Sequence, residues 1–291
     1  MHRRFYAVWG TLVLSVPTLL WSTPAYAAGI PWTRDFAKAK AQAQRAGRPI
    51  LVNFYTDWCG YCKKLDAEVF PKADVVRASA QFVPVRMNAE KEGMAMARKL
   101  QVTGFPATFI MTPSGLVADQ MPGFLPAENF TLALQGGLNK VKELSALEAR
   151  QRANPADTAS AMKLASIASE SGNRPLALAM MASVKKADPT NKGGNLSKTI
   201  LAASLATQNE GKFADAVPML QSVTKLSRER AEITLARLNL AICYQLLNKP
   251  RDAAGELQIV LGDPNMPVET RQAAQKMLDR VNKQLAGKSK G

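Results

Sequence analysis

The sequence is almost without histidine. Its 291 residues contain one, His2, which lies at the start of a basic and apolar N-terminal segment. If that segment is removed as a leader, the rest of the chain has no histidine. This excludes a Ser-His-Asp or Cys-His catalytic centre and a histidine-ligated zinc or haem site. Attachment of a c-type haem needs the pattern C-x-x-C-H, but Lys63 follows Cys62.

Cysteine is also scarce, with only Cys59, Cys62 and Cys243. Three cysteines without histidine make a poor zinc site, so we expect no metal, and no pattern calls for an organic cofactor. An odd number leaves at least one cysteine unpaired in the monomer. Because Cys243 lies in a helical, apolar stretch, we expect a free, buried thiol that packs as a small hydrophobe. A regulatory thiol or an intermolecular disulfide is the alternative.

Only one part of the chain, Phe5 to Trp21, forms a long apolar run. Arg3 and Arg4 precede it, and Ala25-Tyr26-Ala27 follows with the small-x-small pattern of a cleavage site. These features predict a signal peptide over 1–27. An uncleaved anchor is the alternative, although the run is short for a span of about 20 residues. We therefore expect export as a soluble protein to an oxidising compartment such as the bacterial periplasm.

Acidic residues are outnumbered, with 23 Asp and Glu against 38 Lys and Arg, a formal net charge of +15. The basic residues are spread along the chain and form a block only in the C-terminal tail, 288–291. A nucleic-acid-binding protein typically clusters them in a stripe. We therefore expect no nucleic-acid partner and interpret the excess as a solvated surface, with a preference for acidic partners or membrane headgroups.

Residues 28–143 alternate between helix and strand patterns in the order αβαβαββα. Helical crossovers between the first strands predict parallel pairs, and the turn Pro113-Ser114-Gly115 predicts an antiparallel last pair. The result is an α/β fold with a mixed central sheet flanked by helices. Helices are predicted over 33–46, over the stretch that extends from the Cys59 region to about residue 79, over 90–100 and over 127–140. Strands are predicted over 50–56, 81–87, 107–111 and 116–121.

Residues 155–287 have no strand pattern and are typical of paired amphipathic helices. Turn residues recur at 171–173, 210–212 and 248–250, and each turn is followed by a small residue, Ala177, Ala216 or Ala253. This pattern resembles degenerate tetratricopeptide repeats, whose units usually have about 34 residues. A plain helical bundle is the alternative. The predicted organisation is a signal peptide (1–27), an α/β domain (28–143), a linker (144–154), an all-α tetratricopeptide-like domain (155–287) and a basic tail (288–291).

The sharpest signal is Cys59-Gly60-Tyr61-Cys62, which lies where a predicted strand passes into a helix. Residues i and i+3 share one face of a helix, so the two sulfurs can meet. The helix N-terminus favours a thiolate on the first cysteine. We therefore expect Cys59 to attack a partner's disulfide and Cys62 to resolve the mixed disulfide. A structural disulfide or half of a zinc site is the alternative.

Two segments carry a family resemblance. Trp58-Cys59-Gly60-Tyr61-Cys62-Lys63 and Gly104-Phe105-Pro106-Ala107-Thr108 resemble the redox motif and the cis-proline loop of the thioredoxin superfamily. Over about 30–140, the chain is similar to the C-terminal periplasmic domain of the DsbD proteins and to their soluble relatives. The resemblance implies a thioredoxin-like fold and a cis Pro106 that faces the cysteines. It also implies that Phe105 offers its backbone N–H and C=O to a bound peptide.

One position departs from that family. Asn53 stands six residues before the first cysteine, where thioredoxins carry a buried aspartate that helps to move the resolving cysteine's proton. An amide cannot accept that proton. Asp66, four residues after Cys62, is our candidate substitute, and a solvated surface carboxylate is the alternative. Gly60-Tyr61 is the dipeptide found in periplasmic disulfide isomerases.

These observations predict an exported thiol–disulfide oxidoreductase that acts on protein substrates, most simply in the reducing direction. Trp58, Gly60, Tyr61, Phe105 and Pro106 would support the cysteine pair. The resemblance implies a membrane electron donor of the DsbD type, and the helical domain would bind a protein partner. Two alternatives stay open: a disulfide isomerase and chaperone dimerised through its helical domain, and a repeat-type adaptor whose redox pair is secondary.

Overall fold

The computed structural model describes residues 29–288. The predicted signal peptide and almost all of the predicted basic tail lie outside the described residues. We use "sheet region" for residues 29–143 and "helical region" for residues 155–288. Among the described residues, no helix has the length and apolar character needed to cross a membrane.

The sheet region contains four strands and five helices. A helical segment that begins at Gly60 changes from α-helical to π-helical at Leu65–Val69. The element bounds are α1 Phe36–Ala46, β1 Ile50–Tyr55, α2 Gly60–Lys64, α3 Ala73–Ser79, β2 Val83–Asn88, α4 Met94–Lys99, β3 Ala107–Met111, β4 Val117–Pro122 and α5 Ala127–Ala153.

The sheet is mixed, as predicted, with the strand order β2-β1-β3-β4. β1 pairs with β2 in parallel and with β3 in antiparallel orientation, and β3 and β4 are antiparallel. Because side chains alternate along a strand, the two faces of β1 have different neighbours. Val52 and Phe54 pack on the side of α1 and α4. Leu51 packs on the opposite side, with the helical segment from α2 to α3 and with α5.

The third strand runs opposite to the predicted direction. We expected a helix over 90–100 to return the chain for a parallel pair, but α4 has only six residues. It is about 9 Å long at 1.5 Å per residue, whereas a six-residue strand spans about 20 Å. Because α4 is too short to reach the far end of the sheet, β3 starts where β2 ends. Pro106 is thereby brought to the edge that carries Cys59, next to the pair Phe54–Ala107.

The last helix of the sheet region is longer than predicted. We expected it to end at Lys140, but α5 has 27 residues and continues to Ala153. Helix therefore fills nearly all of 144–154, where we expected a linker. Residues 141–153 contain no glycine or proline and are mostly strong helix formers. The division of the chain into domains stays a prediction.

The helical region consists of seven helices, and its turns lie where the sequence predicted them. Gly172, Gly211 and Asn248 occupy the same left-handed position in the three turns, with φ of 61°, 75° and 59°. The repeat type stays a prediction. The helices are α6 Thr158–Glu170, α7 Arg174–Ala187, α8 Asn195–Asn209, α9 Phe213–Leu226, α10 Arg230–Leu246, α11 Pro250–Leu261 and α12 Val268–Lys288.

The two regions share a hydrophobic cluster. Leu116, in the turn between β3 and β4, is completely buried. It packs with Leu144 of α5 and with residues of the first helical pair, among them Leu164 and Ala168. The helical region is therefore packed against the β4 edge of the sheet and is not joined to it by the chain alone.

Candidate active site

The two cysteines of the motif are joined. Cys59 and Cys62 form a disulfide with their Cα atoms 5.2 Å apart. Cys59 is the N-cap of α2, and its Sγ accepts a hydrogen bond of 3.1 Å from the backbone N–H of Cys62. Both residues are buried, with exposed fractions of 4% and 2%. A thiolate on Cys59 would accept the same N–H, which is the stabilisation expected at a helix N-terminus.

The loop before β3 has the expected form, because the Phe105–Pro106 peptide bond is cis. The carbonyl of Pro106 accepts a hydrogen bond from Gly123. Among the described residues, the backbone N–H and C=O of Phe105 have no hydrogen-bond partner. They are therefore available to pair with an added strand.

Aromatic side chains surround the cysteine pair. Trp58 and Tyr61 flank Cys59 in the sequence and are 66% and 62% exposed. The Trp58 ring meets Phe105 edge-on at 6.1 Å, and the Tyr61 ring lies 6.0 Å from Phe124. Lys64 places its Nζ 4.9 Å from the centre of the Phe124 ring. Exposed aromatic area of this kind is typical of a surface that binds another protein.

The loop between β2 and α4 holds the residues before Cys59 in place. The Trp58 Nε1–H donates to Glu90 (2.9 Å), and Asp57 accepts from Asn88 (2.9 Å) and Lys91 (2.7 Å). The hydrogen bond from Lys91 is the main cause that lowers the pKa of Asp57 below its ordinary value. This loop therefore fixes the orientation of the indole beside the disulfide.

A polar network crosses three strands on the face that carries α2. Asn53 is completely buried in β1; its Nδ2–H donates to Thr108 (2.9 Å), and its Oδ1 accepts from Arg86 Nε (3.2 Å). Arg86 also donates to Asp66 (2.9 Å) and stacks on the Tyr55 ring at 4.5 Å. The position at which the resemblance implies an aspartate is therefore an amide that is linked to a guanidinium.

Asp66 is accordingly engaged with Arg86 and partly exposed. Both of its carboxylate oxygens face the guanidinium. In the described part of the chain, its hydrogen bonds go to Arg86 and none goes to Cys62. The role of Asp66 as the base for Cys62 stays a prediction.

Several residues of this site were not anticipated. Arg86, Thr108 and Glu90 lie in elements that the sequence predicted, and Phe124 lies in the connection after the last strand, but their partners come from distant segments. The alternation Val85-Arg86-Met87 does indicate that Arg86 faces away from the side of Val85. Its pairing with Asn53 depends on the register of β1 and β2, which no local pattern supplies.

The third cysteine lies far along the chain in α10. Cys243 is free and completely buried, as expected. Burial raises the pKa of its thiol to about 11. It is therefore a protonated, shielded group at neutral pH.

Comparison with known families agrees with this geometry. Residues 36–137 match the model of a thioredoxin-like domain. The chain contains a thioredoxin-like domain. The thiol:disulfide interchange protein DsbD of Ralstonia nicotianae is 31% identical over 105 residues, which are 35% of this chain and 17% of that protein. Protein disulfide-isomerase of Zea mays is 30% identical over 79 residues, 27% of this chain and 15% of that protein.

This chain thus spans less than a fifth of the length of these curated relatives. Among solved structures, a thioredoxin from Thermus thermophilus is 26% identical with a TM-score of 0.37, over 39% of this chain and 91% of that one. The C-terminal domain of DsbD from Neisseria meningitidis, in its reduced form, is 21% identical with a TM-score of 0.32, over 35% of this chain and 91% of that one. Similarity to disulfide oxidoreductases and the Cys59–Cys62 pair together support thiol–disulfide oxidoreductase activity.

Proposed function

We propose that the protein exchanges disulfides with protein substrates through Cys59 and Cys62, in the reducing direction. The observation that carries the proposal is the Cys59–Cys62 disulfide at the start of α2, in a thioredoxin-like domain with a cis-proline loop. The exposed aromatic rings around the pair favour a protein over a small disulfide as the substrate.

The reaction balances within the two partners. The Cys59 thiolate attacks one sulfur of the substrate disulfide, which breaks the S–S bond and releases one substrate thiolate. Cys62, as a thiolate, then attacks the Cys59 sulfur and releases the second substrate thiolate. The two leaving thiolates take up two protons, the substrate gains two electrons, and Cys59–Cys62 becomes the disulfide that this structure contains. A donor dithiol returns two electrons for the next cycle.

We propose that this donor is a membrane electron donor of the DsbD type and that the exchange occurs in the periplasm. Support comes from the similarity to DsbD proteins and from the N-terminal pattern of residues 1–27. The helical region would recruit a protein partner. The absence of a carboxylate at Asn53 leaves the proton of Cys62 to another base, for which Asp66 is our candidate.

The first test is the reduction potential of the cysteine pair. The purified protein is equilibrated in glutathione or dithiothreitol buffers at neutral pH, and the thiols are counted by alkylation and mass. A potential below about −200 mV supports reduction, whereas a value near about −120 mV would identify an oxidant and overturn the proposed direction.

The second test is turnover. Reduction of insulin by dithiothreitol should be accelerated by the protein and should fall to the uncatalysed rate in Cys59→Ser. Cys62→Ser should accumulate a mixed disulfide at Cys59, visible as an added mass that dithiothreitol removes. Cys243→Ala is the matched control and should retain full activity. If Cys59→Ser stays active, the proposed function is wrong.

A further inference from the structure

A groove of about 330 Å³ lies beside the cis-proline loop. One wall is the connection from α4 to β3, Leu100–Phe105, and the other is the end of β4, Gln120–Gly123. Phe105 belongs both to this groove and to the aromatic surface, because its ring contacts Trp58. The groove therefore continues the surface that surrounds the cysteine pair.

One turn of the helical region contacts a residue near each of these walls. Ser171, in the turn between α6 and α7, accepts a 2.9 Å hydrogen bond through Oγ from the backbone N–H of Val117. Val117 begins β4, three residues before the groove wall. Gly172 packs against the side chain of Lys99, which ends α4 immediately before the other wall.

The residues of this turn suit these contacts closely. Ser171 is only 6% exposed, and its hydroxyl donates to the carbonyl of Ile167 (2.7 Å), which leaves a lone pair for Val117. Gly172 has a φ of 61°, and a Cβ there would overlap with the stem of Lys99. A residue with a side chain would therefore have to displace Lys99 and adopt an unfavourable backbone conformation.

We propose that the Ser171–Gly172 turn is a positioning element of the substrate groove. It holds the two walls at a fixed separation, and the groove binds an extended segment of the protein substrate next to the disulfide that is reduced. This inference rests on the proposed function. The unpaired backbone groups of Phe105 fit such a segment, because they can pair with it as an added strand.

The structure offers matched substitutions for the test. Ser171→Ala removes the acceptor of the Val117 N–H. Ser169→Ala is its control, because Ser169 is also buried, lies two residues earlier at the end of α6, and has a hydroxyl without a partner among the described residues. Lys99→Ala removes the stem over Gly172 from an exposed position, and Arg98→Ala, its exposed neighbour, is the control.

Two probes separate the groove from the cysteines. Insulin reduction gives KM and kcat for a protein disulfide, and the reaction of the reduced protein with 5,5′-dithiobis(2-nitrobenzoate) reports on a small disulfide. We expect Ser171→Ala to raise KM for insulin about fivefold, the factor for loss of one ordinary hydrogen bond. Lys99→Ala, which removes a packing contact, should raise KM in the same direction. In both variants, kcat and the small-disulfide rate should stay unchanged. The two control variants should keep the KM, kcat and small-disulfide rate of the unsubstituted protein.

Each other outcome overturns the inference. If both variants match their controls with insulin, the groove is set by the sheet region alone. If the rates with both probes fall together, the turn acts on the cysteines or on stability and not on the groove. If the unsubstituted protein reduces neither probe, the proposed function itself fails, a result that the variants do not influence.

Discussion

At the scale of the residue, Arg86 links more of the candidate site than any single side chain that the sequence indicated. Its guanidinium binds buried Asn53 and partly exposed Asp66, and its plane lies over Tyr55 and Phe70. Only 18% of the side chain is exposed. Removal of such a donor leaves a buried acceptor without a partner, which is more destabilising than the loss of a surface ion pair.

We therefore expect Arg86→Ala to lower the free energy of unfolding by about 2–4 kcal/mol. The free energy of unfolding of Arg86→Lys should lie between those of Arg86→Ala and the unsubstituted protein, since an ammonium lacks the fork that reaches both partners. Arg77→Ala is the control: its ion pair with Asp74 is more than half exposed, so the loss should be below about 1 kcal/mol. Urea denaturation measures all three. Equal losses for Arg86→Ala and Arg77→Ala would contradict the network.

Cys243 predicts a pH dependence. The thiol titrates near 9.0 in an exposed setting and near 11 in the folded chain, so the unfolded state releases its proton first. The free energy of unfolding should therefore fall as the pH rises from about 9 to about 11, by up to about 1.4 kcal/mol per pH unit, with no contribution at lower pH. With Cys59–Cys62 kept oxidised, Cys243→Ala should remove this slope. An identical slope in both proteins would contradict it.

The residue-scale chemistry was predictable where it is local. The pair Cys59–Cys62 follows from its i,i+3 spacing, and the cis Pro106 follows from the resemblance of residues 104–108 to a cis-proline loop. The surroundings of Asn53 were not predictable. Its partners Thr108 and Arg86 come from β3 and β2, so the contact depends on strand order and register.

At the scale of the element, two adjacent glycines show how α5 is seated on the sheet. Gly136 is exposed with open space at its Cβ position, whereas Gly137 is buried and a Cβ there would overlap with Ile110 of β3. The same substitution should therefore have opposite effects one residue apart.

We expect Gly136→Ala to stabilise the protein by about 0.5–1 kcal/mol through helix propensity. Gly137→Ala should destabilise it by about 1–3 kcal/mol, because Ile110 must leave its packed position. Thermal or urea unfolding of the two variants is sufficient, and each serves as the control of the other. Stabilisation by both would mean that α5 lies farther from β3 than the structure shows.

The same scale explains which elements the sequence predicted well. β1 and β3 were predicted to within one residue because each is a continuous buried run bounded by turn residues. α4 was overestimated, since residues 90–93 are helix-compatible but form a turn whose Gly93 approaches Asn88 closely. That error made the predicted direction of β3 wrong, because the length of a crossover decides whether it brings the chain back to the end of the sheet where the previous strand began.

At the scale of the whole molecule, the sequence indicated two regions but not how they meet. The sequence predicts Leu116 only as the first residue of a strand, and its burial depends on Leu144 and Leu164 from two helices. Contacts of this kind have no local signature. They bear on the proposed substrate groove, because the groove beside the cis-proline loop is flanked by residues that touch the helical region.

The shared cluster predicts that the two regions unfold together. In the described part of the chain the tryptophans are Trp32 and Trp58, and both lie in the sheet region. Without the predicted signal peptide, tryptophan fluorescence therefore reports on the sheet region, whereas circular dichroism at 222 nm reports mainly on the helical region. With the cysteine pair oxidised, the two urea transitions should coincide.

Leu116→Ala should lower the free energy of unfolding obtained from each transition by the same amount, about 2–5 kcal/mol. Leu235→Ala, at a half-exposed site on α10, should shift neither by more than about 1 kcal/mol. Separate transitions, or a Leu116→Ala effect confined to fluorescence, would show that the regions are independent and that the Ser171–Gly172 turn cannot hold the groove.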